Sequence, residues 1–556
     1  MNEPRGVVQG PDLAGQPQPE ARERLLLSVG SMMRFESESG GKRVGRSRKH
    51  RSSGVIQKTE HLPDRAEAVL STRSFTMAAA LVWITLGVLL AFSLLTLYYP
   101  MVRAFYRYEI NTNEGWNVYV TQTAMQHGAL YPAKHGRGRV GYPFLSFYLV
   151  GYASRLVGDY LLTGRLISLV SFLISCVLVG LIVRKLSGAW GPAAFASVFC
   201  LGLFCSRMPI YVGMDDPQML AHPFFLLGLW LYLGAPPSTL RIAGITSLFI
   251  VGGNIKHNLL PTPISVLSDL FTTSLGKAVR FMGFGVVFLV LAIAVNIMVG
   301  GPSFISSMLA PRPYSLESAR GTFLALYYPQ GLPLAVSAFW SIWRLHNRQA
   351  RVIAFYFFSS LLIGAAFAGG GGVNANAFFD NLFAMSIIMG ACLDLLWKAP
   401  IPSLGNGGRW RFLVPVLLYS TVVMDFVPRG LSMPKLLSEL PVRQRLFDQE
   451  VSFLAAQPGP AICEKLMLCY DAGKPYTLNP HGLGLRARFG GGSVSEVVNQ
   501  IAEKEYGAIQ TDSPVTQRPN SSFPEEVLDA IDRDYVEAVT APDCHIYVPR
   551  PQNKDR

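Results

Sequence analysis

Long apolar blocks, separated by short polar segments, limit what this chain can fold into. Eleven such blocks lie between residues 75 and 427 of its 556 residues. A helix of about 20 apolar residues spans the hydrocarbon core of a bilayer, and it satisfies its own backbone there. The blocks cover residues 75–99, 164–184, 190–206, 217–234, 240–254, 257–271, 279–299, 321–343, 352–368, 378–397 and 411–427. The sequence therefore predicts an all-α polytopic membrane bundle of about 11 transmembrane helices.

The distribution of charge supports this class. Charged residues make up 15% of the chain, whereas soluble domains carry about 25%. The net charge of +13 would suggest a nucleic-acid partner in a soluble protein. The basic run at residues 41–51 has no interleaved aromatic residues, so we expect a solvated segment that touches membrane lipid, and no nucleic-acid partner. Residues 1–74 lack apolar periodicity and are predicted to be a disordered, basic, cytoplasmic N-terminal segment.

The loops between the blocks predict the orientation. With a cytoplasmic N-terminus, every loop assigned inside carries Lys or Arg, and the loops assigned outside carry the carboxylates, in agreement with the positive-inside rule. Blocks 240–254 and 257–271 are alternatively one kinked span, but the basic loops downstream argue against that. Residues 142–159 are apolar and short, and are predicted to be a helix lying in the membrane interface.

The chain turns polar after about residue 430. Short apolar runs alternate there with helical ones, which predicts a small extracytoplasmic α/β domain over residues 431–556 and leaves residues 75–430 as the transmembrane domain. In an oxidising compartment, two of Cys463, Cys469 and Cys544 can form a disulfide, and the third is then left over.

The first outer loop, residues 100–163, carries two carboxylates beside two cations. Glu109 and Glu114 follow the first apolar block, next to Arg103 and Arg107. Glu114 precedes an amphipathic helical pattern, so it is either catalytic or a simple charge at a helix N-terminus. Glu109 is either catalytic or a salt-bridge partner of Arg107. An acidic pair at a membrane surface is costly to keep unless something uses it, and both interpretations stay open for each residue.

Two further outer loops carry polar residues at helix ends. Asp215 and Asp216 precede a proline and an apolar block; one of them suffices to cap a helix, so the second exceeds what capping needs. Lys256 and His257 lie between two blocks. The lysine either extends to the interface or binds an anionic group such as a phosphate, and the neighbouring polar residues favour the phosphate.

A glycine-rich segment, residues 368–381, forms a fourth element. Its four consecutive glycines permit close backbone approach and disfavour a helix, although a flexible linker is the alternative interpretation. Asn374, Asn376 and Asp380 follow the glycines, and such a polar cluster suits a hydroxyl-rich ligand. Arg312 lies in another outer loop. All of these elements face the same side of the predicted bundle.

The order of these motifs resembles the GT-C superfamily of polytopic glycosyltransferases, especially bacterial protein mannosyltransferases and aminoarabinose transferases. The resemblance covers residues 75–430. It rests on NEGWNVYVTQTAMQHGALYP at residues 113–132, on YPFLSFYLVGYASRLVGD and the Arg-initiated block after it, and on DDPQML and KHNLLP. Many relatives have Asp-Glu where this chain has Asn113-Glu114, so the resemblance leaves Glu114 or Glu109 as the general base.

The resemblance implies an inverting transferase of the bacterial cytoplasmic membrane. Such enzymes move a sugar from a polyprenyl-phosphate donor to a glycan, lipid or protein acceptor on the outer face. Glu114, Glu109, Asp215 and Asp216 are the catalytic candidates; Lys256, His257, Arg103 and Arg312 are the candidates for the donor phosphate; Asn113, Trp116, Asn374, Asn376 and Asp380 are the candidates for sugar or acceptor. The two aspartates with Glu109 could hold a divalent ion, but the related transferases need none, so we expect no metal and no cofactor.

Two other classes of function compete with this one. A secondary transporter or a flippase for lipid-linked sugars would need charges near the bilayer midplane or internal repeats, and the blocks are almost free of charge. A membrane anchor whose C-terminal domain binds cell-wall material is the third class. The chain has no Walker loop, GxSxG, HExxH or strand-associated GxGxxG motif.

Overall fold

The computed structural model describes residues 65–131, 140–234, 237–399, 409–487, 494–517 and 521–551. The N-terminal segment predicted to be disordered lies outside the described residues up to residue 64, and the first helix begins at Arg65. Within these described ranges, fifteen α-helices come before the first β-strand: α1 (Arg65–Arg103), α2 (Asn113–Met125), α3 (Leu145–Val157), α4 (Tyr160–Ser187), α5 (Trp190–Arg207), α6 (Pro217–Tyr232), α7 (Thr239–Gly253), α8 (Pro261–Thr273), α9 (Leu275–Gly300), α10 (Phe304–Met308), α11 (Leu316–Tyr327), α12 (Gly331–Trp343), α13 (Arg348–Phe367), α14 (Phe379–Lys398) and α15 (Leu413–Ala456).

The mostly helical membrane architecture is confirmed, whereas the number of about 11 spans is not. Among the described residues, six helices are long and apolar enough to cross a bilayer, and two shorter apolar helices accompany them. The block predicted at residues 321–343 is broken between α11 and α12. The blocks at 240–254 and 257–271 form two separate helices, α7 and α8.

The core of the bundle is built around α14. Nearly every residue from Phe379 to Asp394 is buried there, against α4, α5, α12 and α13. By contrast, α9 buries few of its residues and exposes a wide apolar surface. A helix that is apolar all round but packed on one side only is stable when lipid covers the rest. Helix α3 exposes Leu156 and buries Phe147, as expected for a helix in the interface.

The last helix of the bundle continues far beyond the predicted membrane span. Helix α15 has 44 residues and runs through Pro428, Pro434 and Pro441 to Ala456. The domain boundary expected near residue 430 therefore falls inside a continuous helix, and the C-terminal fold begins only after it.

A small α/β fold follows α15. Its elements are β1 (Ala461–Cys463), α16 (Leu466–Asp471), α17 (Pro480–Ala487), α18 (Val494–Ala502), β2 (Ala508–Thr511), α19 (Glu525–Asp534), β3 (Tyr535–Ala541) and β4 (Cys544–Pro549). The strand order is β1-β2-β4-β3, with β1 and β2 parallel and the other two pairs antiparallel. The expected sheet is confirmed, and so is a disulfide, between Cys463 and Cys469, which leaves Cys544 free.

The C-terminal fold packs directly on the first outer loop through α16. Gly115 of α2 lies so close to the backbone of Met467 that a Cβ atom there would overlap it. Arg107 joins Asp471 of α16 to Asp159, the N-cap of α4, with ion-pair distances of 2.6 and 2.5 Å. The disulfide ties α16 to β1, so α2 rests on a covalently fixed element.

Candidate functional site

A buried ion pair fixes the beginning of α2. Both carboxylate oxygens of Glu114 accept hydrogen bonds from Arg165 of α4, at 2.8 and 2.7 Å. Both side chains are almost completely buried, with 0% and 1% exposure. The same carboxylate accepts the backbone N–H of Ile110 at 2.7 Å and of Asp215 at 3.0 Å. With four donors, both carboxylate oxygens of Glu114 are engaged in hydrogen bonds to the protein.

Arg165 organises the segment that leads into α2. Besides Glu114, its guanidinium donates to three backbone carbonyls, those of Ala104, Tyr106 and Tyr108. A planar guanidinium with several donors suits such a multivalent role better than lysine does. The pair therefore holds the first outer loop, α2 and the second outer loop, the segment between α5 and α6 that carries Asp215 and Asp216, in one arrangement.

The second outer loop is held against α4 by the same pair. The carbonyl of Asp215 accepts a hydrogen bond from Asn117 of α2 at 2.8 Å. The carboxyl group of Asp215 lies against Gly164, where a Cβ atom would overlap it. Burial, and then the charges of Glu114 and Asp216, raise the pKa of Asp215 well above its ordinary value.

Asp216 is the carboxylate that faces a cation. One oxygen caps α6 by accepting the N–H of Gln218 at 2.9 Å, and the other is buried without a hydrogen-bond partner. Burial raises the pKa of Asp216, while Lys256 and hydrogen bonds from Gln218 and Asn376 oppose that shift. Within the described residues, Oδ2 of Asp216 thus has unused capacity to accept a hydrogen bond.

Two cations, Lys256 and Arg312, lie together with His257 near Asp216. Lys256 is buried with its ammonium 3.6 Å from the centre of the Tyr142 ring, and no carboxylate of the described residues forms an ion pair with it. Arg312 lies near Gly141, next to that tyrosine. Desolvation and the charges of Lys256 and Arg312 lower the pKa of His257 to about 4, so this imidazole is neutral at pH 7. The cluster suits an anionic ligand.

The glycine-rich segment borders the space around Asp216 and Lys256, which is the pocket of the candidate site. The N–H of Ser315 donates to Gly369 and that of Gly371 donates to Pro313, so the two backbones run side by side. The backbone carbonyl of Asn376 accepts a hydrogen bond from Gln218 at 2.7 Å. The side chain of Asn376 reaches Asp216, and that of Asn374 reaches Tyr211. The helix break predicted for the glycines is present, between α13 and α14.

Glu109 lies on the side of Glu114 that faces the C-terminal fold, near Asp512 and Lys465. Its Oε1 accepts the N–H of Gly115 at 3.0 Å, and its Oε2 is buried without a partner. Burial is the main cause that raises the pKa of Glu109 to about 8, and the charges of Glu114 and Asp512 add to it. Its expected partner, Arg107, pairs with Asp159 and Asp471 instead.

Glu109 is expected to make the protein less stable as the pH rises. Its pKa goes from 4.5 to about 8 on folding, so the folded state binds more protons than the unfolded state between these values, and stability falls across this window. Glu109→Gln removes this dependence and should raise the melting temperature more at pH 8 than at pH 5. Thermal unfolding at the two pH values measures it, with the exposed Glu503→Gln as control. Equal pH dependence in the wild type and Glu109→Gln would contradict the prediction.

Four sequence candidates lie elsewhere or only border the pocket. The guanidinium of Arg103 donates to the carbonyls of Pro209, Ile210 and Val212, so it holds the second outer loop. Asp380 is buried inside the bundle and accepts the hydroxyl of Tyr356 at 2.8 Å. Asn113 begins α2, and Trp116 packs edge-on against Tyr142 with ring centres 5.2 Å apart.

Sequence reasoning missed Arg165, Tyr142 and Tyr211 as parts of the site. Arg165 had a signal, because a single arginine at the start of an apolar block is costly unless it is paired. The two tyrosines had none, since aromatic residues are common at membrane interfaces.

An apolar groove lies next to the cationic cluster. It has a volume of about 280 Å³ and is formed by the start of α3 together with α7 and α9. Its lining residues are Phe144, Leu145, Ser247, Ile250, Val251, Asn254, Phe288, Leu291, Ala292 and Val295. Phe144 and Asn254 lie two residues along the chain from Tyr142 and Lys256. Asn296 of α9 bonds to both Phe144 N and Asn254, at 3.2 and 2.7 Å, and so fixes this end of the groove.

The fold has relatives among solved structures. No protein-family profile and no curated protein sequence matches the chain. ArnT from Cupriavidus metallidurans in the apo state is similar over 85% of this chain and 100% of its own, with a TM-score of 0.55 and 12% identity. The same protein bound to undecaprenyl phosphate is similar over 84% of this chain and 99% of its own, with a TM-score of 0.51 and 12% identity. The oligosaccharyltransferase AglB from Archaeoglobus fulgidus is similar over 86% of this chain and 75% of its own, with a TM-score of 0.46 and 9% identity. The likeness to ArnT shows that this chain shares its fold.

Proposed function

We propose that the chain is a membrane glycosyltransferase that moves a sugar from a polyprenyl-phosphate donor to an acceptor hydroxyl on the extracytoplasmic face. The observation that carries this proposal is that Asp216 lies within electrostatic range of Lys256, beside an apolar groove. A carboxylate, a cation and a lipid-accessible groove are the three parts that such a reaction needs. The fold shared with ArnT, solved with undecaprenyl phosphate, is consistent with a lipid-linked donor.

The donor would enter from the membrane. Its isoprenoid tail would lie in the groove between α3, α7 and α9, which is lined mostly by apolar side chains. Its phosphate would then reach Lys256 and Arg312, with neutral His257 as a hydrogen-bonding group. Lys256 supplies the positive charge that a metal would otherwise bring to the phosphate, so we propose a reaction that needs no metal and no cofactor.

Asp216 would act as the general base. In the proposed step, its free oxygen accepts the proton of the acceptor hydroxyl while the acceptor oxygen forms a bond to the anomeric carbon. The bond from that carbon to the phosphate oxygen breaks with inversion, and the polyprenyl phosphate leaves with the bonding electrons. Lys256 stabilises the negative charge that develops on the leaving oxygen. Asn374 and Asn376 border this space and are suited to sugar hydroxyls.

This assignment gives Glu114 a positioning role rather than the role of base. Its carboxylate has four donors and holds the backbone N–H of Asp215, whereas Asp216 keeps one oxygen free. Glu109 faces the C-terminal fold instead of the cationic cluster. We therefore propose Asp216 as the base and Glu114 with Arg165 as the support that sets its place.

The orientation and the compartment follow from the same chemistry. A disulfide persists in an oxidising environment, so the bond between Cys463 and Cys469 supports an extracytoplasmic C-terminal domain over residues 431–556. The N-terminal segment 1–74 would then be cytoplasmic, with the transmembrane domain 75–430 between them. A bacterial cytoplasmic membrane supplies both the polyprenyl-phosphate donor and an outer face with glycan, lipid or protein acceptors.

Replacement of Lys256 by glutamine is expected to weaken donor binding. A hydrogen bond to a charged group is worth about 1.5–3 kcal/mol, so the KM for the donor should rise roughly tenfold to hundredfold. The assay is transfer from a labelled polyprenyl-phosphate sugar to acceptor in proteoliposomes. Lys277→Gln, in the first turn of α9 and outside the residues that line the groove, is the control and should leave KM unchanged.

Two outcomes would contradict the proposed function. An unchanged KM for the donor in Lys256→Gln would show that Lys256 does not bind the donor phosphate. Movement of the labelled lipid across the vesicle membrane without a new glycosidic bond would favour the flippase instead.

A further inference from the structure

A second charged cluster lies on helices that carry none of the pocket residues. Arg207, in the last turn of α5, forms an ion pair with Asp425 of α15. The other carboxylate oxygen of Asp425 accepts a hydrogen bond from Nε2 of Gln330 at 2.7 Å. Gln330 is the N-cap of α12. These contacts join α5, α12 and α15.

The cluster contains one cation more than it contains anions. Arg429 lies one helical turn beyond Asp425, within electrostatic range of both Asp425 and Arg207. The carboxylate of Asp425 is already shared by Arg207 and Gln330. Within the described parts of the chain, Arg429 has no hydrogen-bond or ion-pair partner. Two guanidinium groups and one carboxylate leave a single uncompensated positive charge.

Two polar atoms of the cluster are buried without a partner. They are Nε of Arg207 and Oε1 of Gln330. The side chains of Arg207 and Asp425 are only 13% and 14% exposed, so bulk water reaches them poorly. A buried donor beside an uncompensated charge is costly unless an anion accepts from it.

The cluster lies in the outer half of the membrane-spanning region, where α5 ends. Asp425 is 12 residues past Leu413, the first residue of α15 (425 − 413), or about 18 Å along the helix, whereas the hydrocarbon core is about 30 Å thick. The surrounding surface is apolar, with Met424 75%, Leu431 81% and Leu332 61% exposed. Lipid is therefore the medium next to the cluster, and arginine this deep usually extends toward headgroups.

We propose that Arg207 and Arg429 bind the phosphodiester headgroup of an anionic phospholipid whose chains lie along the apolar face of α12 and α15. A phosphodiester carries one negative charge, which matches the single uncompensated cation. Its oxygens accept hydrogen bonds from guanidinium groups with favourable geometry. This site is separate from the donor pocket, and it stands whether or not the chain transfers a sugar.

The test compares lipid retention by the full-length protein in nanodiscs. One set contains phosphatidylcholine alone, and the other contains added phosphatidylglycerol; native mass spectrometry and thermal unfolding are the readouts. The wild type should retain phosphatidylglycerol and melt at a higher temperature in its presence. Arg429→Gln should retain roughly tenfold less, because it removes the free guanidinium and leaves the contacts among Arg207, Asp425 and Gln330 in place.

Two matched variants make the result specific. Lys435→Gln removes the same charge from an exposed position on α15 outside the cluster, and it should behave like the wild type. Arg429→Lys keeps the charge and should restore most of the retention. Equal retention of phosphatidylglycerol by the wild type and Arg429→Gln would overturn the proposal. So would equal loss in Lys435→Gln, or retention of added polyprenyl phosphate but not of phosphatidylglycerol.

Discussion

Replacement of Asp216 by asparagine is expected to reduce sugar transfer by roughly 10²–10⁴-fold, the usual effect of removing a general base. Asparagine is as good an N-cap as aspartate, so its amide oxygen can still accept the N–H of Gln218, which lies 2.9 Å from Asp216 Oδ1. The variant therefore keeps the start of α6 and loses only the proton-accepting carboxylate. Transfer from a labelled polyprenyl-phosphate sugar under saturating donor measures the loss as kcat.

The same residue should set the acid limb of the pH profile. A general base works only when it is deprotonated, so activity falls as the pH drops through its pKa. Burial raises the pKa of Asp216, which places this limb above the ordinary aspartate value of about 3.9. Glu109→Gln should keep the limb, because that carboxylate faces the C-terminal fold. Loss of the limb in Glu109→Gln would transfer the role of base to Glu109.

A second capped helix provides the control for Asp216→Asn. Asp159 caps α4 by accepting the N–H of Leu162 at 2.6 Å, and it lies outside the proposed pocket. Asp159→Asn makes the same chemical change and should retain most activity. Wild-type kcat in Asp216→Asn, or an equal loss in both variants, would show that the carboxylate of Asp216 is not the base.

The sequence predicted a helix correctly where an apolar segment and a continuous helix cover the same residues. Most of the apolar blocks lie in helices, because a bilayer requires apolar side chains and a satisfied backbone together. Hydropathy fails where these two requirements separate. Residues 321–343 are mostly apolar, yet the helix is interrupted around Pro329, between Tyr327 and Gly331. Helix α15 continues beyond residue 427, although its sequence turns polar there.

The candidate site was partly predictable because polar residues at helix ends had to gather on one side. Asp216, Lys256 and Asn376 were chosen on this basis, and the structure brings them together. Their roles depend on contacts that no local pattern reports. Glu114 looks like a free carboxylate in the sequence, and only the approach of Arg165 from α4 reveals it as fully bonded. Asp380 likewise follows the polar cluster in sequence but turns into the bundle with α14.

The largest loss of stability is expected when one partner of the Glu114–Arg165 pair is removed. Breaking a buried ion pair costs about 3–5 kcal/mol, because the remaining charge is left uncompensated. Glu114→Leu and Arg165→Met should each lower the free energy of unfolding by such an amount. Because each single variant leaves a buried charge behind, the double variant should be more stable than the sum predicts, with a coupling energy of up to about 3 kcal/mol.

The double variant of Glu114 and Arg165 should recover stability without recovering activity. The double variant removes both charges but also loses the bonds to Ile110 N, Asp215 N and three backbone carbonyls. Its fold should recover while transfer stays low, because Asp215 and Asp216 are no longer held in place. The exposed pair Glu439–Arg443 on α15 is the control, with an expected coupling of about 0.3–0.5 kcal/mol. A coupling for Glu114–Arg165 as small as that of the control, or full activity in the double variant, would show that this pair does not position the site.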